Sequence, residues 1–184
     1  NVLVDDTGFP GLVILNRTLS LAVDRLSDGR YLLRCGSGLL LRDLVKRTVT
    51  FGMAGLESLS GIPGTVGGAI YGNAGAYGRD IGSTVRQALV VTAPGKKPAW
   101  LSRAELDFSY RNSRIKTQGG LIVAVELILN PGKAVRLATR AQEILESRWK
   151  KLPHSLSAGS YFKNLPPKQP GERRRSAGLL LEQA

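Results

Sequence analysis

Three stretches of the 184-residue chain carry side chains or backbone suited to chemistry. The first is Gly55-Leu-Glu-Ser-Leu-Ser-Gly61-Ile-Pro-Gly64-Thr-Val-Gly67-Gly68-Ala69, continued by Asn73-Ala-Gly-Ala-Tyr-Gly78; residues 55–78 hold eight glycines in 24 positions. Glycine lets backbone N–H groups approach a ligand with no Cβ in the way. Pro63 stiffens the turn, and Thr65 is placed to cap a short helix whose N-terminus would attract an anion. The pattern is neither a Walker A motif nor Gly-x-Gly-x-x-Gly. On physical grounds alone it serves two readings equally, a phosphate cradle or a set of tight turns with close helix packing. The second stretch is Phe108-Ser-Tyr110-Arg111-Asn-Ser113. A planar guanidinium there could hold a carboxylate through two hydrogen bonds. The third is Ala158-Gly-Ser160-Tyr-Phe-Lys163-Asn164, a hydroxyl close to a cation and an amide.

These stretches need a scaffold. Residues 1–4, 11–15, 19–23 and 31–35 read as strands, separated by turns at 5–8 and 27–29. Residues 39–51 space Leu41, Leu44, Val45 and Val49 as a helix, with Gly52 as its C-terminal cap. Residues 85–92 and 99–101 pair through a turn at 94–97, and 121–129 form a late strand. Residues 133–151 read as an amphipathic helix with Val135, Ala138, Ala141, Ile144, Leu145 and Trp149 on or near its packed face. Its basic last turn, with Arg148 and Lys150, suits the negative end of the helix dipole. Residues 177–184 have the apolar density of a further packed helix. The fold class is therefore α+β, divided at about residue 132.

Composition removes several function classes. Apolar residues make up 42% of the chain and charged residues 22%, the balance of a globular protein rather than a disordered one. No apolar run is long enough for a transmembrane helix, and neither end has a signal-peptide layout. One cysteine, Cys35, excludes an internal disulfide and is read as core; the one histidine, His154, has no partners for a metal site. The net charge of +12 invites a nucleic-acid reading. It is concentrated after residue 132, without a basic stripe interleaved with aromatics. Arg173–Arg175 is read as a solvated loop, and no nucleic-acid partner is expected.

Taken together and in order, the three motifs resemble the UDP-N-acetylenolpyruvoylglucosamine reductase family. Gly61–Ala69 with Asn73–Gly78 is similar to its flavin-binding segment. Phe108–Ser113 is similar to its Phe-x-Tyr-Arg-x-Ser, and residues 159–164 to its Gly-Ser-x-Phe-Lys-Asn. The resemblance covers the whole chain. It implies a PCMH-type FAD-binding domain, like that of vanillyl-alcohol oxidase, over residues 1–132, and the start of an α/β substrate-binding domain over 133–184. It also implies a cytoplasmic, monomeric enzyme of peptidoglycan synthesis. NADPH would reduce FAD, and the reduced flavin would pass a hydride to C3 of an enolpyruvyl ether on a UDP-sugar.

The resemblance further implies residue roles. Arg111 binds the substrate carboxylate and steadies the enolate, and Ser160 donates the proton to C2, polarised by Lys163. Tyr110, Lys151, Lys163 and Asn164 bind substrate, with Lys151 on its diphosphate. Asn1, Gly61, Ile62, Pro63, Gly64, Thr65, Gly67, Gly68, Ala69, Asn73, Ala74, Gly75, Ala76 and Ile122 bind FAD. No metal is implied. Leu165 stands where the family usually has Pro, and the stretch between Lys151 and Ser160 is shorter than in some members. Both ends look like the middle of longer elements, and the family's catalytic carboxylate lies beyond residue 184. The chain alone is therefore expected to be inactive. The competing readings are another flavoprotein oxidase or dehydrogenase of the same fold, and a basic nucleic-acid binder.

Overall fold

The computed structural model describes residues 4–151, 162–169, 172 and 174–183. Two compact units divide the chain, Leu12–Leu152 and a smaller one made of Asn1–Gly11 with Pro153–Ala184. The long helix that follows residue 132 groups with the larger unit.

The larger unit is an antiparallel sheet with helices on one face. Strands β1 (Leu21–Arg25), β2 (Tyr31–Gly36), β6 (Val85–Val91), β7 (Ala99–Ser102) and β8 (Leu121–Pro131) run in the order β1-β2-β8-β6-β7, and the short β3 (Met53–Ala54) pairs with the end of β8. A two-residue hairpin, β4 (Gly75–Ala76) with β5 (Arg79–Asp80), stands apart. The late strand is longer than expected from sequence, since Asn130 and Pro131 still pair with Ala54 and Met53. Residues 12–20 are not a strand: Leu12 to Leu15 lie exposed outside any helix or strand. β1 accordingly starts at Leu21, and its register on β2 sets Leu21 against Cys35.

Period-two alternation on β2 and β8 sends Leu33, Cys35, Val125, Leu127 and Leu129 into the core. Helix α1 (Leu41–Thr50) answers with Leu41, Leu44, Val45 and Val49, the spacing of a single buried stripe. Burying each of these side chains stabilises the fold by about 1.5–3 kcal/mol. Gly52 follows the helix at φ 68° and donates to Val49 O, the left-handed residue just past a helix end. Helix α2 (Val66–Tyr71) buries Val66, Ala69 and Ile70, and α3 (Arg114–Gln118) buries Ile115.

Helix α4 (Ala134–Lys151) packs on α1 and on the 3-10 turn Glu57–Leu59. Its buried stripe differs from the expected one. Leu137 and Ile144 are buried and Ala141 and Arg148 half-buried, a run of i, i+4, i+7, i+11. Val135 and Trp149 sit off that stripe, and Trp149 is 70% exposed.

On the opposite face of the sheet, the Glu126 carboxylate is buried. It accepts from Arg34 Nε at 2.7 Å and Gln87 Nε2 at 2.9 Å, with Arg86 at 3.5 Å. No helix among the described residues is long and apolar enough to cross a membrane.

Candidate functional site

The glycine-rich segment folds as a turn, a short helix and a hairpin. Gly61 and Gly64 stand at φ 75° and 110°, where an L side chain is strained, and space is open around Gly64. Ile62 and Pro63 bridge them. The Thr65 hydroxyl caps α2 as expected, accepting from Gly68 N at 3.2 Å. The start of α2 does not, however, present donors to an anion. Val66 N donates to Leu39 O and Gly67 N to Ser37 O, both at 2.8 Å. Gly67 is needed for this approach, because a Cβ there would sit 2.9 Å from Ser37 Cβ. The first three N–H groups of the helix are therefore satisfied within the protein. What remains open is the turn Gly61–Thr65 in front of the helix, while Gly67, Gly68 and Ala69 belong to the helix itself.

Asn73 follows α2 at φ 43° and is 3% exposed. Its Nδ2 donates to Ser109 O at 2.9 Å and its Oδ1 accepts from Gly82 N at 3.0 Å. Ala74 is buried behind it, and its N–H donates to Ala69 O. Gly75 and Ala76 form β4. Asn73 thus spans the gap between the glycine-rich segment and the Tyr-Arg motif.

That motif is a tight turn. Ser109 N donates to Asn112 O and Asn112 N to Ser109 O, both at 3.1 Å, with Tyr110 and Arg111 at the tip. Arg111 sits in the left-handed region at φ 56°, a cost that positioned residues carry when their surroundings over-determine them. Lys116 Nζ donates to Arg111 O at 3.1 Å, and the Arg111 guanidinium lies 5.9 Å over the Tyr110 ring. Ser113 is fully buried. Its hydroxyl donates to Tyr71 O at 2.8 Å and caps α3. Asn73 and Ser113 together fasten the cation-bearing turn to the end of α2. Arg111 itself is exposed, available to a carboxylate.

Ile122 is buried on β8, and its carbonyl accepts from Ser37 Oγ at 2.6 Å and Asn16 Nδ2 at 3.2 Å. These bonds tie the loop that holds α2 to the late strand. Nothing in the sequence pattern had singled out Ser37, Leu39 or Asn16. Arg148, read from the sequence as serving the helix dipole, lies half-buried on the packed stripe, four residues after Ile144.

In the smaller unit, Lys163 is exposed and Asn164 half-buried. Asn164 Oδ1 accepts from Ala177 N at 3.3 Å, at the start of α5 (Ala177–Glu182), beside the capping Ser176. Two of the three clustered arginines, both exposed, also brace this segment. Arg174 donates to Asn164 O and Arg175 Nε to Pro166 O. Asn1, His154 and Ser160 lie outside the described residues, as does the side chain of Lys151, which closes α4. Among the described residues, no group of three His, Cys, Asp or Glu side chains could hold a metal ion. Cys35 is buried on β2, and burial pushes its thiol up to about 12.

The open turn at Gly61–Thr65, with its left-handed glycines and uncrowded Gly64, fits the phosphate-bearing flavin that the resemblance implies. The sequence profile described as FAD binding domain matches residues 1–97. The chain is 39% identical over 176 residues to the UDP-N-acetylenolpyruvoylglucosamine reductase of Solibacter usitatus, covering 91% of this chain and 54% of that protein. It is 37% identical over 181 residues to reductase 1 of Bacillus anthracis, covering 97% and 59%. The crystal structure of the UDP-N-acetylenolpyruvylglucosamine reductase of Thermus caldophilus superposes with a TM-score of 0.69 at 34% identity, over 82% of this chain and 52% of that one. The chain therefore spans just over half the length of the relatives it matches.

Proposed function

This chain belongs to the FAD binding domain family, and from that premise we propose that the protein carrying it is an NADPH-dependent reductase of a UDP-linked enolpyruvyl sugar. One observation carries the reading. The glycine-rich segment and the Tyr110-Arg111 turn, more than 30 residues apart, are held together by the bond from Asn73 Nδ2 to Ser109 O and the one from Ser113 to Tyr71 O. A flavin site and a cation for a substrate carboxylate are thereby built as one piece.

The flavin, when bound, supplies the hydride that adds to C3 of the enolpyruvyl group. The chain's own residues do the rest. The Gly61–Thr65 turn and the hairpin after Asn73 position the flavin. Arg111 receives the substrate carboxylate and steadies the negative charge that develops at C2 and on the carboxylate oxygens. Its exposure leaves the guanidinium fork open, and Tyr110 lines its approach. Ser160 gives its proton to C2. Lys163 lowers the cost of the alkoxide left behind. Lys151, Lys163 and Asn164 hold the diphosphate and sugar. Residues 133–184 are assigned as the opening of the substrate-binding domain. The enzyme is proposed to be cytoplasmic and monomeric, acting in peptidoglycan synthesis, in keeping with a nucleotide-sugar substrate.

The test uses the full-length protein, mixed with NADPH and the UDP-enolpyruvyl sugar. Substrate-dependent oxidation of NADPH is expected, and its absence rejects the proposal. Ser160→Ala should keep flavin reduction by NADPH and lose turnover. Loss of the flavin itself would make Ser160 structural.

A further inference from the structure

Among the described residues, two buried side-chain polar atoms have no hydrogen-bond partner, Ser58 Oγ and Arg148 Nε. Both stand on one seam. Ser58 lies in the 3-10 turn Glu57–Leu59, which packs against α4. Arg148, near the end of α4, lays its side chain over the glycine-rich turn. Its Cδ and Nε lie 3.1 Å from where a Cβ on Gly61 would stand, beside Leu145 Cδ2 at the same distance.

This is not how a helix-end arginine behaves when it serves only the dipole. Such a side chain keeps its head in water, as exposed Lys150 is free to do. A guanidinium does not discharge in a protein, so a buried N–H cannot be relieved by losing its proton. No carboxylate among the described residues forms an ion pair with Arg148. What relieves the donor is an acceptor brought from outside, and a guanidinium beside a glycine turn matches a phosphate oxygen in charge and geometry.

We propose that Arg148 is a positioning residue for the flavin, receiving a phosphate oxygen of FAD seated on the Gly61–Thr65 turn and so tying that turn to α4. The inference rests on the flavin reading. Its contact is with the phosphate part of the cofactor and not with the ring. Gly61 is required by the same arrangement, since a larger residue would displace the arginine.

The test is equilibrium titration of the deflavinated full-length protein with FAD and with riboflavin, read by flavin fluorescence, in wild type, R148Q and R148K. R148Q should bind FAD about 10- to 100-fold more weakly, the worth of one charge-assisted hydrogen bond. It should bind riboflavin within about 2-fold of wild type, with an unchanged melting temperature before flavin is added. R148K, a cation without the planar fork, should fall between. Equal FAD affinity in wild type and R148Q overturns the proposal. So does equal weakening toward FAD and riboflavin with a lowered melting temperature, the mark of a purely structural arginine. Should R148Q fail to fold, the ratio of FAD to riboflavin affinity in R148K decides. A wild-type protein that binds riboflavin and FAD equally well also overturns it, while one that takes up neither rejects the flavin reading itself.

Discussion

Asn73 is the residue whose replacement tests the site most directly. It makes two bonds in opposite directions, to Ser109 O and from Gly82 N, and adopts φ 43°. Asn73→Ala removes both. Gly82 N is buried, so losing its acceptor costs about 1–3 kcal/mol. Ser109 O keeps its bond from Asn112 N, so losing Asn73 there costs only about 0.5–1.5 kcal/mol. An alanine held in the left-handed region adds about 1 kcal/mol. Together these come to about 3–5 kcal/mol, a large part of the 5–15 kcal/mol that stabilises a typical domain. Asn73→Gly removes the same bonds without the backbone cost and should lose about 1 kcal/mol less. Urea denaturation of the three proteins, followed by circular dichroism, gives both differences. Hydrogen exchange should show the Asn112 amide opening in both variants, because the Tyr-Arg turn loses its tether. An alanine variant within about 1 kcal/mol of wild type, with the Asn112 amide still protected, would refute the bridging role.

Gly67→Ala should destabilise by about 1–3 kcal/mol in the same assay, since the new Cβ meets Ser37 Cβ at 2.9 Å and Ser37 O at 3.1 Å; a neutral result would show that the loop yields freely. Ser113→Ala removes the bond to Tyr71 O and the cap of α3, and should cost about 1–2 kcal/mol together with a fall in kcat of the full-length enzyme as Arg111 loses its footing. Glu126→Gln keeps a partner for Gln87 but weakens the hold on Arg34 and Arg86; because both arginines are about half exposed, the loss should stay near 1 kcal/mol rather than the 3–5 of a fully buried pair. Cys35, with its thiol raised from 9.0 to about 12, should resist thiol reagents in the native protein at pH 8; keeping it neutral contributes stability that is whole below about pH 9 and lost as pH climbs toward 12, and C35A should lose that part of the alkaline decline.

The strands and helices that were legible in the sequence are those with dense or helically spaced apolar residues. Residues 31–35, 85–92 and 121–129 are apolar runs bounded by turns, and 39–51 repeat at helical spacing, so these elements are written into residue type. The failures have physical causes. Leu12–Leu15 has the apolar run of a strand but pairs with nothing among the described residues, and apolar content alone does not supply a ladder. Val135 and Trp149 drew the helix face toward themselves by size, while the packed stripe runs through Leu137, Ile144 and the stem of Arg148. Asp107, Tyr77 and Arg111 adopt positive φ without being glycine, which no local propensity announces. The motifs themselves were legible; their assembly was not, because it depends on an Asn73 amide reaching a carbonyl 36 residues away.

The glycine-rich segment shows why composition leaves its two readings level. Its glycines answer different demands. Gly67 is glycine because Ser37 lies against it, and its N–H is already bound to Ser37 O. Gly64 has open space at its Cβ position and φ 110°, so backbone conformation rather than packing calls for glycine there. A helix start whose N–H groups are consumed by Leu39, Ser37 and Thr65 cannot also serve an anion. What stays open in the segment is Gly61–Thr65, the turn over which Arg148 holds its unpaired donor. Substitutions in the two halves should consequently separate: at Gly67 the folded state suffers before any flavin is added, and at Gly64 a residue that tolerates positive φ, such as asparagine, should leave the apoprotein intact and weaken only the flavin.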